Sequence, residues 1–185
     1  MVRNPQSARG NGLTERLSDP APLIVTAELP EALQSRFDQL RTAHFPPERN
    51  YLKAHVTLFH ALPPGVEAEV CDALAAEARA RPLPARLEGV MNLGRGTAFR
   101  IVSPAMIDLR DRLAERFHGL LTPQDQHTPR LHVTVQNKVA PGEAKALQAH
   151  LAASFEPRDF AFAGLALHRY LGGPWERVKR WSFRG

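Results

Sequence analysis

The apolar residues of this chain change period several times, and each change marks an element. Leu23, Ile24 and Val25 open a short β-branched run at 23–27, which reads as a buried strand ending before Pro30. From 31 to about 43, Leu33, Phe37 and Leu40 fall at helical spacing, and Pro46 and Pro47 break the chain. Residues 52–62 predict a strand closed by Pro63, Pro64 and Gly65, and the alanine-rich stretch 66–81 predicts a helix. Strands are expected at 83–93 and 97–103, joined by a turn at Gly94, Arg95 and Gly96. Ser103 suits an N-cap and Pro104 a first helical turn, so a helix is expected from 104 to about 121. A polar loop at 123–129 leads to a strand at 130–139 and a helix at 142–155. Two further strands, at 159–170 and 176–183, are joined through Gly172, Gly173 and Pro174.

This order of strand, helix, strand, helix, strand occurs twice. Inside it a short motif recurs, as His55-Val56-Thr57-Leu58 and as His132-Val133-Thr134-Val135, at an offset of 77. The same offset carries Ile24 and Val25 onto Ile101 and Val102, Leu74 onto Leu151, and Lys53 onto Arg130. Repetition at this length predicts an α+β fold of two similar lobes related by a pseudo-two-fold axis. The expected organisation is a polar tail at 1–21 and one bilobal domain at 22–185, with repeats at about 22–96 and 97–185.

Side chains alternate along a strand, so residues two apart share a face. One lobe then offers Lys53, His55 and Thr57 together, and the other offers Arg130, His132 and Thr134. His60 and Asn137 point to the opposite face if the strands are regular. One such histidine alone reads as a hydrogen-bonded core residue. A matched pair in matched strands reads as a built site.

Composition narrows the setting. The net charge is +5 and the pI about 10.0, with arginine supplying most of the positive charge, so an anionic partner such as nucleic acid is favoured. Cys71 is the only cysteine, which excludes an internal disulfide and a cysteine-based zinc site. It reads as a small core residue on a helix. The opening residues lack an apolar signal segment, and no apolar run approaches the ~20 residues that span a bilayer, so a cytoplasmic protein without membrane association is expected. His55 and His60 do not make a zinc pair: five residues along a strand sets them on opposite faces. His44, His60, His118, His127, His150 and His168 read as surface or structural groups. Tyr51, Tyr170 and Trp175 are candidates for stacking a base, whereas Phe99 reads as core.

Two imidazoles facing one cleft can divide acid and base work near neutral pH. The threonine hydroxyls can donate to phosphate oxygens, and Lys53 and Arg130 can favour an anion. The set suits attack at phosphorus with no metal or other cofactor. The paired His-x-Thr-hydrophobic motifs, at 55–58 and 132–135, resemble the signature of the 2H phosphoesterase superfamily, and within it the bacterial 2′-5′ RNA ligase-like proteins. The ending Tyr170-Leu171-Gly172-Gly173-Pro174-Trp175 also resembles theirs.

The resemblance implies two antiparallel sheets lining a central groove, with helices outside. It implies opening of 2′,3′-cyclic phosphates at RNA or nucleotide ends to 2′-phosphates, with 2′-5′ ligation as a related activity. It makes His55 and His132 catalytic, His55 as the acid on the leaving oxygen and His132 as the base on water. Thr57 and Thr134 then bind phosphate. Two alternatives stay open: a non-catalytic RNA- or nucleotide-binding module, and a cyclic phosphodiesterase acting on a small nucleotide such as an ADP-ribose cyclic phosphate. Both halves of the site lie in one chain, so a monomer suffices and no obligate protein partner is expected.

Overall fold

The computed structural model describes residues 21–184, so the expected tail lies outside the described residues but for its last position. The described elements are β1 (Leu23–Glu28), α1 (Glu31–His44), β2 (Val56–Leu62), α2 (Glu67–Glu77), β3 (Pro84–Asn92), β4 (Thr97–Val102), α3 (Pro104–Arg116), β5 (His132–Gln136), α4 (Pro141–Ala153), β6 (Arg158–Ala161), β7 (Gly164–Tyr170) and β8 (Trp175–Ser182). The fold is α+β, as expected. The strands form two four-stranded antiparallel sheets, ordered β2-β1-β7-β8 and β5-β4-β3-β6. Alternation places Leu23, Val25 and Ala27 of β1 in the core. Phe99 and Ile101 of β4 join the same continuous cluster, so the two sheets share one core. Ser103 caps α3 as expected, accepting from the Met106 N–H at 3.2 Å.

Each sheet draws on both halves of the chain. β3 pairs with β4 and β6, while β7 pairs with β1 and β8. The run 159–170, expected as one strand, is therefore two strands in different sheets. The change of sheet happens within two residues. Phe162 N–H donates to the Leu83 carbonyl at 2.9 Å, and Ala163 N–H donates to the Glu28 carbonyl at 2.8 Å. Phe162 is fully buried at this crossing. Position 164, just after the crossing, must be glycine, because a Cβ at Gly164 would lie 2.1 Å from the Trp181 carbonyl oxygen.

Both motif strands carry a bulge at the same place. In β2, Val25 pairs with Phe59 and Thr26 with Thr57, which leaves Leu58 without a partner. In β5, Thr97 pairs with Gln136 and Ala98 with Thr134, which leaves Val135 without one. Each bulge follows the motif threonine directly. It turns two successive residues inward, Leu58 with Phe59 and Val135 with Gln136, where a regular strand would alternate. The register also corrects the constant offset. Thr26 and Thr57 are 31 positions apart, Ala98 and Thr134 are 36 apart, so the structural counterpart of Thr26 is Ala98. The second half carries five extra residues between these positions.

β2 is irregular a second time between Phe59 and Leu62. Asp125 caps it. Its carboxylate accepts from His60 N–H at 2.9 and 3.0 Å, from Ala61 N–H at 3.0 Å, and from the His60 ring at 2.9 Å. Burial alone would raise the Asp125 carboxyl, but these donors outweigh it and hold it below its usual range. His60 is thereby a structural group, as its sequence position suggested.

Helix α1 joins the sheets near the motifs. Gln34 Nε2 donates to the Ala54 carbonyl at 2.8 Å, and Asp38 accepts from Ala54 N–H at 2.7 Å. Arg41, only 4% exposed, goes further. Its Nε donates to the Leu52 carbonyl at 3.1 Å, Nη2 to Asn50 Oδ1 at 3.0 Å, and Nη1 to the Thr134 carbonyl at 2.9 Å. The guanidinium lies 4.2 Å from the Phe45 ring centroid. One rigid fork thus holds the approach to the first motif and the backbone of the second.

Two substitutions test this construction. Arg41→Met keeps much of the volume but removes every donor, leaving buried carbonyls unpaired. Urea denaturation should show a loss of roughly 1.5–3 kcal/mol, the usual range for a charge-assisted bond. Gly164→Ala should lower the melting temperature sharply, because backbone rather than a side chain blocks the new methyl group.

Candidate active site

Both motif histidines are fixed in the same way. His55 precedes β2 by one residue, and His132 is the first residue of β5. His55 Nδ1 lies 2.8 Å from the Lys53 carbonyl, and His132 Nδ1 lies 2.7 Å from the Arg130 carbonyl. A carbonyl oxygen can only accept, so Nδ1 carries the hydrogen in each ring. In the neutral tautomer Nε2 then presents its lone pair outward, where proton exchange can take place. Lys53 and Arg130 contribute through their main chains, two residues before each ring. Their side chains are exposed, and neither lies within a strand.

The motif strands are the facing edges of their sheets, and they contact each other directly. Thr57 and Thr134 are half-buried, as are both histidines. The main cavity, of about 670 Å³, lies to the His55 side of this junction. Its lining includes Thr26, Tyr51, Lys53, His55, His168 and Trp175. His132, Thr57, Thr134 and Arg130 are not part of that lining. The structure thus brings the two motifs together at the rim of an asymmetric pocket, and the pocket belongs to the sheet that contains β1.

Trp175 organises the His55 side. Its ring centroid lies 4.5 Å from that of His55 and 5.4 Å from that of His168, tilted by 49° and 50°. His168 Nε2 is 3.1 Å from Thr26 Oγ1. The result is a row from Thr26 through His168 and Trp175 to His55. By sequence alone, His168 reads only as one of the surface or structural groups. Thr26 and His168 meet only because β7 crosses into the sheet of β1. Tyr51 is 64% exposed and forms part of the cavity wall, whereas Phe99 is core, stacked against Phe37 at 5.3 Å and Phe155 at 5.8 Å. Cys71 is partly buried on α2 and packs against the core.

The electrostatics of this row are distinctive. His55 is lowered to about 4, chiefly by burial. The Lys53 carbonyl opposes that shift, and positive charge on Arg41, His168 and His132 adds to it. His168 is also lowered to about 4, by burial first and by Arg177 second. At neutral pH both rings are neutral. That His132 acts on His55 places the two motif rings within electrostatic reach. Among the described residues, no three His, Cys, Asp or Glu side chains converge on a point that could hold a metal ion.

The fold agrees with comparison to known proteins. Among curated proteins, none matches by sequence. Solved structures give the same fold at low identity. The protein TT0787 of Thermus thermophilus superposes with a TM-score of 0.60 at 20% identity, over 89% of this chain and 98% of that one. E. coli LigT complexed with NADP+ gives 0.57 at 19% identity, over 89% and 98%. E. coli LigT complexed with 3′-AMP gives 0.53 at 21% identity, over 90% and 99%. Residues 29–174, which include both His-x-Thr motifs and end one residue short of Trp175, match the 2′-5′ RNA ligase superfamily, and the chain belongs to that family.

Proposed function

We propose that this protein opens 2′,3′-cyclic phosphates at RNA or nucleotide ends to 2′-phosphates, without a metal ion. The observation that carries this reading is the matched pair of rings, each with Nδ1 tied to a carbonyl two residues back and Nε2 without a hydrogen-bond partner among the described residues. Such a pair serves proton transfer better than simple binding. The family is one of ligases and phosphoesterases, and the LigT structures with 3′-AMP and ATP concern nucleotides, which supports a nucleotide substrate here.

In this mechanism the cyclic phosphate sits between the two rings. His132 Nε2 takes a proton from water as its oxygen attacks phosphorus. The bond from phosphorus to the 3′-oxygen breaks, and His55 gives that oxygen a proton. The phosphate stays on the 2′-oxygen, and the two histidines have exchanged protonation states. Thr57 and Thr134 donate to the non-bridging oxygens, while Lys53 and Arg130 offset negative charge at the rim. The same step, with a ribose 5′-hydroxyl replacing water as the nucleophile and the 3′-oxygen again leaving, forms a 2′-5′ linkage. The site sits in a chain for which, among the described residues, no helix is long and apolar enough to cross a membrane.

The acid role of His55 carries a condition. With its value near 4, the ring of the protein alone holds almost no proton at pH 7. A bound phosphate supplies negative charge beside the ring, which favours its protonated form, so substrate and proton bind together. Histidine NMR should therefore show His55 titrating near pH 4 in the free protein and moving toward neutrality when phosphate is added. If His55 stays near 4 with phosphate bound, the assignment reverses and His55 is the base.

Turnover tests the reading itself. The pure protein, incubated with 2′,3′-cyclic nucleotides and oligonucleotides in EDTA, should form 2′-phosphates. His55→Ala and His132→Ala should each lower kcat by about 10²–10⁴-fold, the range for loss of a general acid or base. Folded protein that turns over no cyclic phosphate, yet binds RNA equally well with both histidines replaced, would establish a binding module instead.

The depressed histidines also predict how stability responds to acid. His55 and His168 sit near 4 when folded and near 6.5 when unfolded, so the unfolded chain binds more protons between those values. Stability should fall as pH drops from about 6.5 to 4. In His168→Gln, urea titrations across this window should show a shallower fall.

A further inference from the structure

Strand β8 contains a third bulge, and it serves the cavity rather than the motifs. Leu167 pairs with Lys179 and His168 with Arg177, so Val178 has no partner. Arg177 and Arg180 are three residues apart and would face opposite sides of a regular strand. With Val178 set against the core, both line the cavity, on the same side as Trp175. Bulges that re-aim side chains in this way concentrate beside functional sites.

The two arginines are not equivalent. Arg180 is paired with Glu28 at 2.8 Å. Arg177 is exposed, and among the described residues it has no carboxylate partner and no side-chain hydrogen bond. It stands beside His168 in register and its charge reaches that ring. Across the sheet, β2 and β8 are separated by three strand spacings of about 4.8 Å, roughly 14 Å between backbones. The cavity of about 670 Å³ is lined from both edges of that sheet, by His55 just before β2 and by Arg177 on β8. A single phosphate at His55 leaves most of this volume empty. A nucleoside seated there, with its cyclic phosphate at His55, carries its 5′-oxygen away from the motifs.

We propose that Arg177 binds a second phosphate of the substrate, the one on the 5′ side of the sugar that bears the cyclic phosphate. This inference rests on the cyclic-phosphate reading for its orientation. It names the substrate class more narrowly: a nucleotide with phosphates on both sides of the ribose, in preference to a nucleoside with a free 5′-hydroxyl. The second phosphate can be a 5′-monoester or the diester linking to a preceding nucleotide.

Binding tests it independently of turnover. Calorimetry compares a nucleoside 2′-phosphate, the 2′,5′-bisphosphate of the same nucleoside, and a dinucleotide ending in a 2′-phosphate. In the natural protein the bisphosphate, the dinucleotide or both should bind about tenfold more tightly than the monophosphate. A gain with the bisphosphate alone identifies a terminal monoester as the ligand, and a gain with the dinucleotide identifies the internal diester. In Arg177→Ala the ratio should collapse to near one, and Arg177→Lys should restore part of it. Circular dichroism melting confirms that the exposed substitution leaves the fold intact. Equal affinities for all three ligands in the natural protein, or a ratio unchanged by Arg177→Ala, overturn the proposal. Absence of cyclic-phosphate turnover with the affinity ratio intact overturns the enzymatic reading and leaves the second-phosphate site standing.

Discussion

A guanidinium removed from water has to find its acceptors in the protein, and where Arg41 finds them decides the geometry of the site. Two of its bonds go to the segment that leads into the first motif, and one goes to the main chain of the second motif. Neither motif strand is hydrogen-bonded to the other, since they are edges of different sheets. Their relative position therefore depends on what spans the junction. Apolar packing between Phe37 and Phe99 gives cohesion there but tolerates sliding. Directional bonds from a planar fork do not, and they tie the two motif segments together.

The same arginine has an electrostatic effect. Its charge adds to burial in keeping His55 unprotonated. Structure and reactivity are thus set by one group. The scaffold that positions His55 also helps to keep its proton off.

Much of this was legible in the sequence, and the illegible part has a physical cause. The doubled His-Val-Thr marked both catalytic candidates because a short-range signal, strand alternation, is written locally. The α+β order of elements followed from periodicity in the same way. The crossing at Phe162 and Ala163 was not legible, because apolar spacing continues through 159–170 and only the crowding around Gly164 distinguishes the break. Losing that crossing meant losing the sheet order, and with it the meeting of Thr26, His168 and Trp175. The bulges were hidden for a related reason. Leu58, Phe59, Val135 and Gln136 look like strand residues of either register, and only the pairing partner reveals which one is extra. Lys53 and Arg130 show the limit of face arguments. They sit at the expected offset from each histidine, yet what the fold uses directly is the carbonyl that orients the ring.

The passage of β7 into the sheet of β1 also bears on how the molecule comes into being. β1 and β2 lie near the start of the chain, but the neighbour that completes the inner side of their sheet is more than a hundred residues away. During synthesis, the first hairpin-like pair emerges with an open, apolar edge long before β7 exists. Closing that edge requires a long loop to be gathered in, which is slow for the same reason that other non-local sheets are slow. Until then the exposed edge is a template for unwanted pairing. A protein whose two halves look alike in sequence is, in its order of assembly, indivisible: neither lobe can be finished before the other.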